Sequence, residues 1–190
     1  MKKYKFFEKY LNDIMGHLSI NTENNSKLVS ISKIFKTANL KKKKVIFLGN
    51  GGSAAMASHV SVDLTKNANI KAINFNEADL ITCLSNDHGY ENWMKSALEL
   101  YCDKGDIVVL ISTSGTSSNI LKAAKWCVEN KQKLISFTGR KKNNKLKLIN
   151  KRGINLWVNS HSYNHVEMVH HIWLLGVVDY LIGSSEYEPK

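Results

Sequence analysis

Val45-Ile46-Phe47-Leu48 is an unbroken apolar run of strand length that passes directly into Gly49-Asn50-Gly51-Gly52-Ser53 and then into the helix formers Ala54-Ala55. A strand apolar on both faces must be covered on both, which directs the chain towards a parallel sheet between helix layers. Gly51 and Gly52 carry no Cβ, so the backbone can turn sharply and bring its N–H groups onto a ligand, while the positive end of the following helix faces the same point. Ser53 adds a hydroxyl. The junction therefore reads as an anion site. The same grammar recurs where Asp106-Ile107-Val108-Val109-Leu110-Ile111 delivers Ser112-Thr113-Ser114-Gly115-Thr116-Ser117-Ser118 to a second helix start. Hydroxyls replace glycines there, able to donate to phosphate oxygens or to accept from the unpaired N–H groups of the helix.

Taken singly, each junction also reads as ordinary turn and cap chemistry. Neither has dinucleotide-binding spacing, and Gly49-Asn50-Gly51-Gly52-Ser53 lacks the Gly-Lys-Ser/Thr ending of a nucleotide P-loop. Their pairing favours function, because parallel α/β folds gather the carboxyl ends of their strands on one rim.

The remainder of the chain alternates in the same way, with strands at 45–49, about 70–75, 106–111, 133–138 and 154–158 and helices at 53–66, about 90–102, 117–130 and 163–182. This pattern predicts an α/β fold built on a doubly wound, parallel five-stranded sheet flanked by helices. Two helices precede it. Phe6, Phe7, Tyr10, Leu11, Ile14, Met15 and Leu18 recur at helical spacing over 4–18, and Leu28, Ile31, Ile34 and Phe35 do so over 23–38 behind an Asn21 or Thr22 cap. Neither helix is needed to cross between strands, so their apolar stripes are free to pack against copies of themselves in a homo-oligomer or against their own domain. With a single proline, Pro189, and no linker or repeat, residues 1–190 read as one domain that includes an N-terminal helical extension, 1–40.

The net charge of +11 comes almost wholly from lysine, Arg140 and Arg152 being the only arginines. The clusters Lys41-Lys42-Lys43-Lys44 and Arg140-Lys141-Lys142 flank strands without interleaved aromatics that could stack on bases. That argues against nucleic acid as the main partner and for attraction of anionic metabolites. Cys83, Cys102 and Cys127 are odd in number, lack CxxC spacing and sit in apolar contexts, as buried reduced thiols of a cytoplasmic protein do. No segment has the apolar length of a membrane span, and Met1-Lys2-Lys3-Tyr4 opens a helical pattern in place of a signal peptide.

Two helices carry candidate chemistry. His59 and Asp63 lie four apart, hence on one face. Glu167, His170 and His171 stand at i, i+3 and i+4 in the last helix; His170 and His171 point about 100° apart, and His171 shares a face with Glu167. Convergence of His59, Asp63, Glu167 and His171 would give a nitrogen and oxygen set suited to Zn2+ or another divalent metal. The plainer alternatives are a surface ion pair for His59 and Asp63 and hydrogen-bonded core histidines, the latter favoured for His161 and His165. Asn86-Asp87-His88-Gly89-Tyr90-Glu91 places an amide beside a carboxylate, a pairing that suits sugar hydroxyls, although it also reads as a turn and cap.

These residues, taken in order, resemble the phosphoheptose isomerase (sedoheptulose 7-phosphate isomerase) branch of the SIS, or sugar isomerase, domain family. Gly49-Asn50-Gly51-Gly52-Ser53-Ala54-Ala55, His59 and Asp63, Asn86-Asp87-His88-Gly89-Tyr90-Glu91 and Ile111-Ser112-Thr113-Ser114-Gly115-Thr116-Ser117 carry the resemblance. It implies a homotetramer converting sedoheptulose 7-phosphate to a heptose 7-phosphate, an early step towards the heptose of bacterial lipopolysaccharide or capsule. Ser53, Ser112, Thr113, Ser114 and Ser117 would hold the phosphate. Asn50, Gly51, Asn86 and Asp87 would meet the sugar, and Gly52 and Glu167 are further substrate-binding candidates. His59 matches a family metal ligand, and Asp63 stands where the family has a glutamate.

The last helix departs from the family pattern. An ungapped match puts Glu167 at a glutamine position and Leu175 at the catalytic histidine, and a one-residue shift puts Val166 and Leu174 there; either register leaves His171, or alternatively His170, to take that role beside Asp63 as candidate base. The family also carries Gly-Arg after Leu-Thr, where this chain has Lys66-Asn67. The reading is an aldose–ketose isomerase acting through an enediol. Its alternatives are an isomerase of another ketose phosphate and a non-catalytic SIS module that senses phosphosugar or acts as a protein adaptor.

Overall fold

The computed structural model describes residues 4–18 and 21–187; Met1–Lys3 and Pro189 lie outside them. Five parallel strands, β1 (Val45–Gly49), β2 (Ala72–Asn74), β3 (Ile107–Ser112), β4 (Lys133–Thr138) and β5 (Ile154–Trp157), form one sheet in the order β2-β1-β3-β4-β5. β1 and β3 are therefore neighbours, from which the chain winds outward in opposite directions, and this reversal opens a crevice at their carboxyl ends.

Alternate side chains of the central strands feed two cores. Val45, Phe47, Val109, Ile111, Ile135 and Phe137 face α3 (Gly52–Lys66) and α8 (Tyr163–Ile182). Ile46, Leu48, Val108, Leu110 and Leu134 face the opposite layer, where α5 (Trp93–Tyr101) and α6 (Ser118–Glu129) supply Trp93, Met94, Ile120 and Ala124. Each strand is thus covered on both faces, as the unbroken apolar runs require.

Both N-terminal helices pack on their own domain, to different extents. α2 (Thr22–Leu40) docks on its own sheet, burying Ile31, Phe35 and Ala38, with Phe35 edge-on to Phe47. α1 (Tyr4–Leu18) lies along α8, where the Tyr10 ring packs on buried His165, yet it leaves Phe6, Phe7, Leu11 and Met15 exposed.

Two further helices occupy stretches that the sequence pattern leaves as connections, α4 (Ala78–His88) and α7 (Lys145–Ile149). Each buries one residue, Leu84 and Leu146 respectively, so neither shows an apolar stripe. Cys127 is buried and Cys102 half-buried, but Cys83 stands exposed on α4, against the expectation of a buried thiol. Among the described residues no helix is long and apolar enough to cross a membrane.

Candidate active site

Both predicted junctions lie at the β1/β3 crevice. Gly49 ends β1, Gly51 turns the chain at φ +53°, and α3 starts at Gly52 with no side-chain cap. α6 starts behind Ser117, whose side chain likewise caps nothing, whereas Asn21, Asn144 and Ser162 cap α2, α7 and α8. The backbone N–H groups of Gly51 and Gly52, and of Ser117, Ser118 and Asn119, make no hydrogen bond among the described residues. Two positive helix ends with unpaired donors thus open side by side, an arrangement suited to a phosphate.

The loop after β3 is shaped by its own hydroxyls. Gly115 N donates to Ser112 Oγ at 3.2 Å and Thr116 N to Ser114 Oγ at 3.3 Å. A hydroxyl that accepts in this way keeps its hydrogen to donate outward. Thr113 Oγ1 is buried without a partner among the described residues.

Asn50 is held by contacts that sequence reading did not find. Its amide exchanges two 3.0 Å hydrogen bonds with the amide of buried Asn119, which also accepts from Ile120 N at 2.9 Å. Tyr90 donates its hydroxyl to Asn50 Oδ1 at 3.3 Å. Asn119 belongs to the first turn of α6, and the one available signal was an amide four residues beyond Gly115. Asn86 and Asp87 do not join this network. They are exposed on the last turn of α4, Asn86 donating to Asp87 at 3.0 Å, and only Tyr90 of that segment reaches the crevice.

A polar seam runs from the crevice between α3 and α8. At its mouth the Glu167 carboxylate lies over Gly52, where a Cβ would collide with it, and burial raises its pKa above the usual carboxylate range. Further along, His59 Nδ1 is 2.9 Å from His171 Nε2, and His59 Nε2 is 3.3 Å from Asp63 Oδ2. Asn67 Nδ2 donates to Asp63 Oδ1 at 3.3 Å. With both rings neutral and the carboxylate ionised, a single proton arrangement serves both contacts: His59 Nε2–H towards Asp63, and His171 Nε2–H towards His59 Nδ1. The bare lone pair is then His171 Nδ1. Burial foremost, then the neighbouring His59, holds the His171 pKa below the ordinary histidine range, while Asp63 acts in the opposite direction.

His170 does not belong to this seam. It is fully buried, packs on Phe137 and Trp173, and places Nε2 3.1 Å from the Thr138 carbonyl, so its candidacy as the alternative catalytic histidine is corrected by the 100° that separates it from His171. Burial lowers its pKa to about 4. The sign of the pH effect follows from linkage: between about 4 and the ordinary value near 6.5, the unfolded chain binds more protons than the folded one. Stability therefore falls as pH drops through that window, by about 3 kcal/mol in all. Urea midpoints from pH 7 to pH 4 are expected to show this decline and His170→Leu to flatten it; an unchanged slope in the variant would assign the decline to other groups.

Among the described residues no three His, Cys, Asp or Glu side chains are grouped as ligands of one ion. Of the four residues expected to hold a metal, His59 directs one ring nitrogen to His171 and the other to Asp63, and Glu167 lies over Gly52.

Residues 7–139 match the SIS domain. Phosphoheptose isomerase of Buchnera aphidicola is 32% identical over 158 residues, covering 77% of this chain and 78% of that protein. The chain belongs to the phosphoheptose isomerase branch of the SIS-domain family. Phosphoheptose isomerase of Aquifex aeolicus is 34% identical over 119 residues, so that the match spans 60% of this SIS chain and 62% of that relative. The fold agrees closely with a phosphoheptose isomerase from Francisella tularensis, at a TM-score of 0.86 and 24% identity over 96% of this SIS chain and 99% of the other.

Proposed function

We propose that the chain isomerises sedoheptulose 7-phosphate to a heptose 7-phosphate, a reading supported by relatives named phosphoheptose isomerase. One juxtaposition carries the reading: two uncapped helix ends at the crevice and a hydrogen-bonded Asp63, His59, His171 relay on the same side of α3. Gly52 and His59 are seven residues apart, about 10 Å along the helix axis. An open-chain seven-carbon sugar phosphate has that order of length between its phosphorus and its carbonyl end.

In the proposed reaction His171 Nδ1 takes the proton from C1 of the ketose, the C–H electron pair forms the C1–C2 double bond, and O2 is protonated. Return of the proton to C2 and loss of the O1 proton give the aldose. Asp63 acts through His59 to orient His171 and to favour the imidazolium that forms, a role that replaces the direct base role expected for it. Glu167, whose carboxyl is made less acidic by burial, stands where it can serve the sugar oxygens at the mouth of the seam. Ser53, Ser112, Thr113, Ser114 and Ser117 hold the phosphate.

The test combines chemistry with binding. Wild-type protein is expected to exchange the C1 proton of sedoheptulose 7-phosphate with deuterated solvent by NMR. Ser112→Ala with Ser114→Ala is expected to remove phosphosugar binding by calorimetry, each lost charge-assisted hydrogen bond costing about 1.5–3 kcal/mol. Binding without any exchange would make the chain a phosphosugar sensor.

Assembly in the cytoplasm as a homotetramer with sites close to subunit boundaries is part of the same proposal. It rests on the exposed Phe6, Phe7, Leu11 and Met15 of α1 and on Met168, Ile172 and Val62, which flank the seam. Covering this face would also exclude water from the relay. Light scattering is expected to give four times the chain mass of 21.5 kDa; a monomer would overturn this part.

A further inference from the structure

We infer that the pole of the sheet opposite the crevice binds a linear phosphate polyanion. A cavity of about 630 Å³ opens at the amino ends of β3 and β4, and Lys33, Lys41, Lys43, Lys104, Lys131 and Lys133 all line it. Among the described residues none of these six ammonium groups makes an ion pair, although the chain carries 16 acidic side chains. The one acid in the lining, Asp106, is 1% exposed and already engaged: Lys44 Nζ lies 2.6 Å away, and the backbone N–H groups of Lys44 and Asp103 donate to it at 3.0 and 2.9 Å. The carboxyl ends of α2 and α6 point to this pole, and each offsets about half a unit of positive charge. That leaves most of the repulsion among six lysines uncompensated, and an anion would relieve it.

The shape and chemistry of the lining select the ligand. A second cavity of about 470 Å³ shares Lys131, Gln132 and Lys133 with the first and adds Lys151 and Arg152, so the positive surface extends as a track. A single phosphate would use only part of it. Neither lining contains an aromatic side chain on which a base could stack, and the first contains no arginine fork to read a base edge. Lysines held as separate point charges recognise the number and spacing of negative charges. A chain of phosphates without bases fits that description better than a nucleic-acid strand.

The experiment uses the whole protein and inorganic polyphosphate as the probe, with orthophosphate and single- and double-stranded oligonucleotides of matched charge as competitors. Polyphosphate is expected to bind at least tenfold more tightly than orthophosphate and to lose roughly a hundredfold in affinity between about 50 and 200 mM salt, as neutralisation of about five phosphates requires. The variant K41E/K43E/K131E/K133E is expected to lose at least tenfold. A milder K41Q/K43Q/K104Q/K133Q variant, checked by circular dichroism, gives the same reading if charge reversal impairs folding. Wild-type affinity in the folded variant, or equal affinity for orthophosphate, overturns the proposal. An oligonucleotide that displaces polyphosphate at equal charge overturns the ligand class and makes the pole a nucleic-acid surface. Phosphosugar binding at the crevice is read separately, so failure of one assignment leaves the other standing.

Discussion

His171→Gln is expected to lower kcat/KM for sedoheptulose 7-phosphate by about 10²–10⁴-fold while phosphosugar affinity persists, because a glutamine keeps a polar contact to His59 but cannot take the proton. Asp63→Asn is expected to reduce the rate without replacing any group that touches substrate. It differs from His171→Gln in its pH profile. The wild-type acid limb should fall below the ordinary histidine range, since burial and His59 disfavour the charged ring. Activity is thus present above that limb and lost as pH falls through it. Removing the Asp63 carboxylate takes away the one neighbour that favours His171 protonation, so the limb should move to still lower pH. Full proton exchange by His171→Gln would refute the assignment, and an unchanged limb in Asp63→Asn would refute the relay.

Gly49→Ala is expected to abolish phosphosugar binding and to cost about 3 kcal/mol of stability, the upper end of overpacking penalties. A Cβ at this position would lie 2.6 Å from the carbonyl carbon of Ser53 and 2.7 Å from its oxygen. Both atoms are backbone of the first turn of α3, and β1 is fixed between β2 and β3, so the helix start must move and take the Gly51 and Gly52 donors with it. Gly176→Ala on α8 supplies the contrast, since nothing lies within 4 Å of its added Cβ. Denaturant midpoints should fall for the first variant and not for the second. A Gly49→Ala protein of native stability with intact phosphosugar binding would show that the close approach of β1 and α3 is not what builds the crevice.

The charge at the sheet's amino pole shows how position alters the meaning of composition. As sequence, Lys41-Lys42-Lys43-Lys44 is one run among many lysines and carries no aromatic partner. Folding brings it beside Lys104, Lys131 and Lys133, which are sixty to ninety residues away, and only then does a continuous cationic surface exist.

Local physics made the sheet, its two covering layers and both strand-to-helix junctions legible, because apolar runs, glycine freedom and helix starts are decided within a few residues. The central strands followed from unbroken apolar runs of strand length, and the crevice followed from the rule that parallel strands end on one rim. α4 and α7 were not legible, since each buries a single side chain and therefore lacks a stripe. Asn119 as the partner of Asn50, and His59 as a link between Asp63 and His171, depend on residues 69 and 112 positions apart, respectively, meeting within 3.0 and 2.9 Å. Between His170 and His171 helical geometry favoured His171, which shares a face with Glu167, but only the docking of α8 against the sheet and α3 shows that His170 is buried on Phe137 and that His171 meets His59. Secondary structure is set by short-range propensity and pattern, whereas a proton relay needs sub-ångström agreement between helices whose relative placement the core alone fixes.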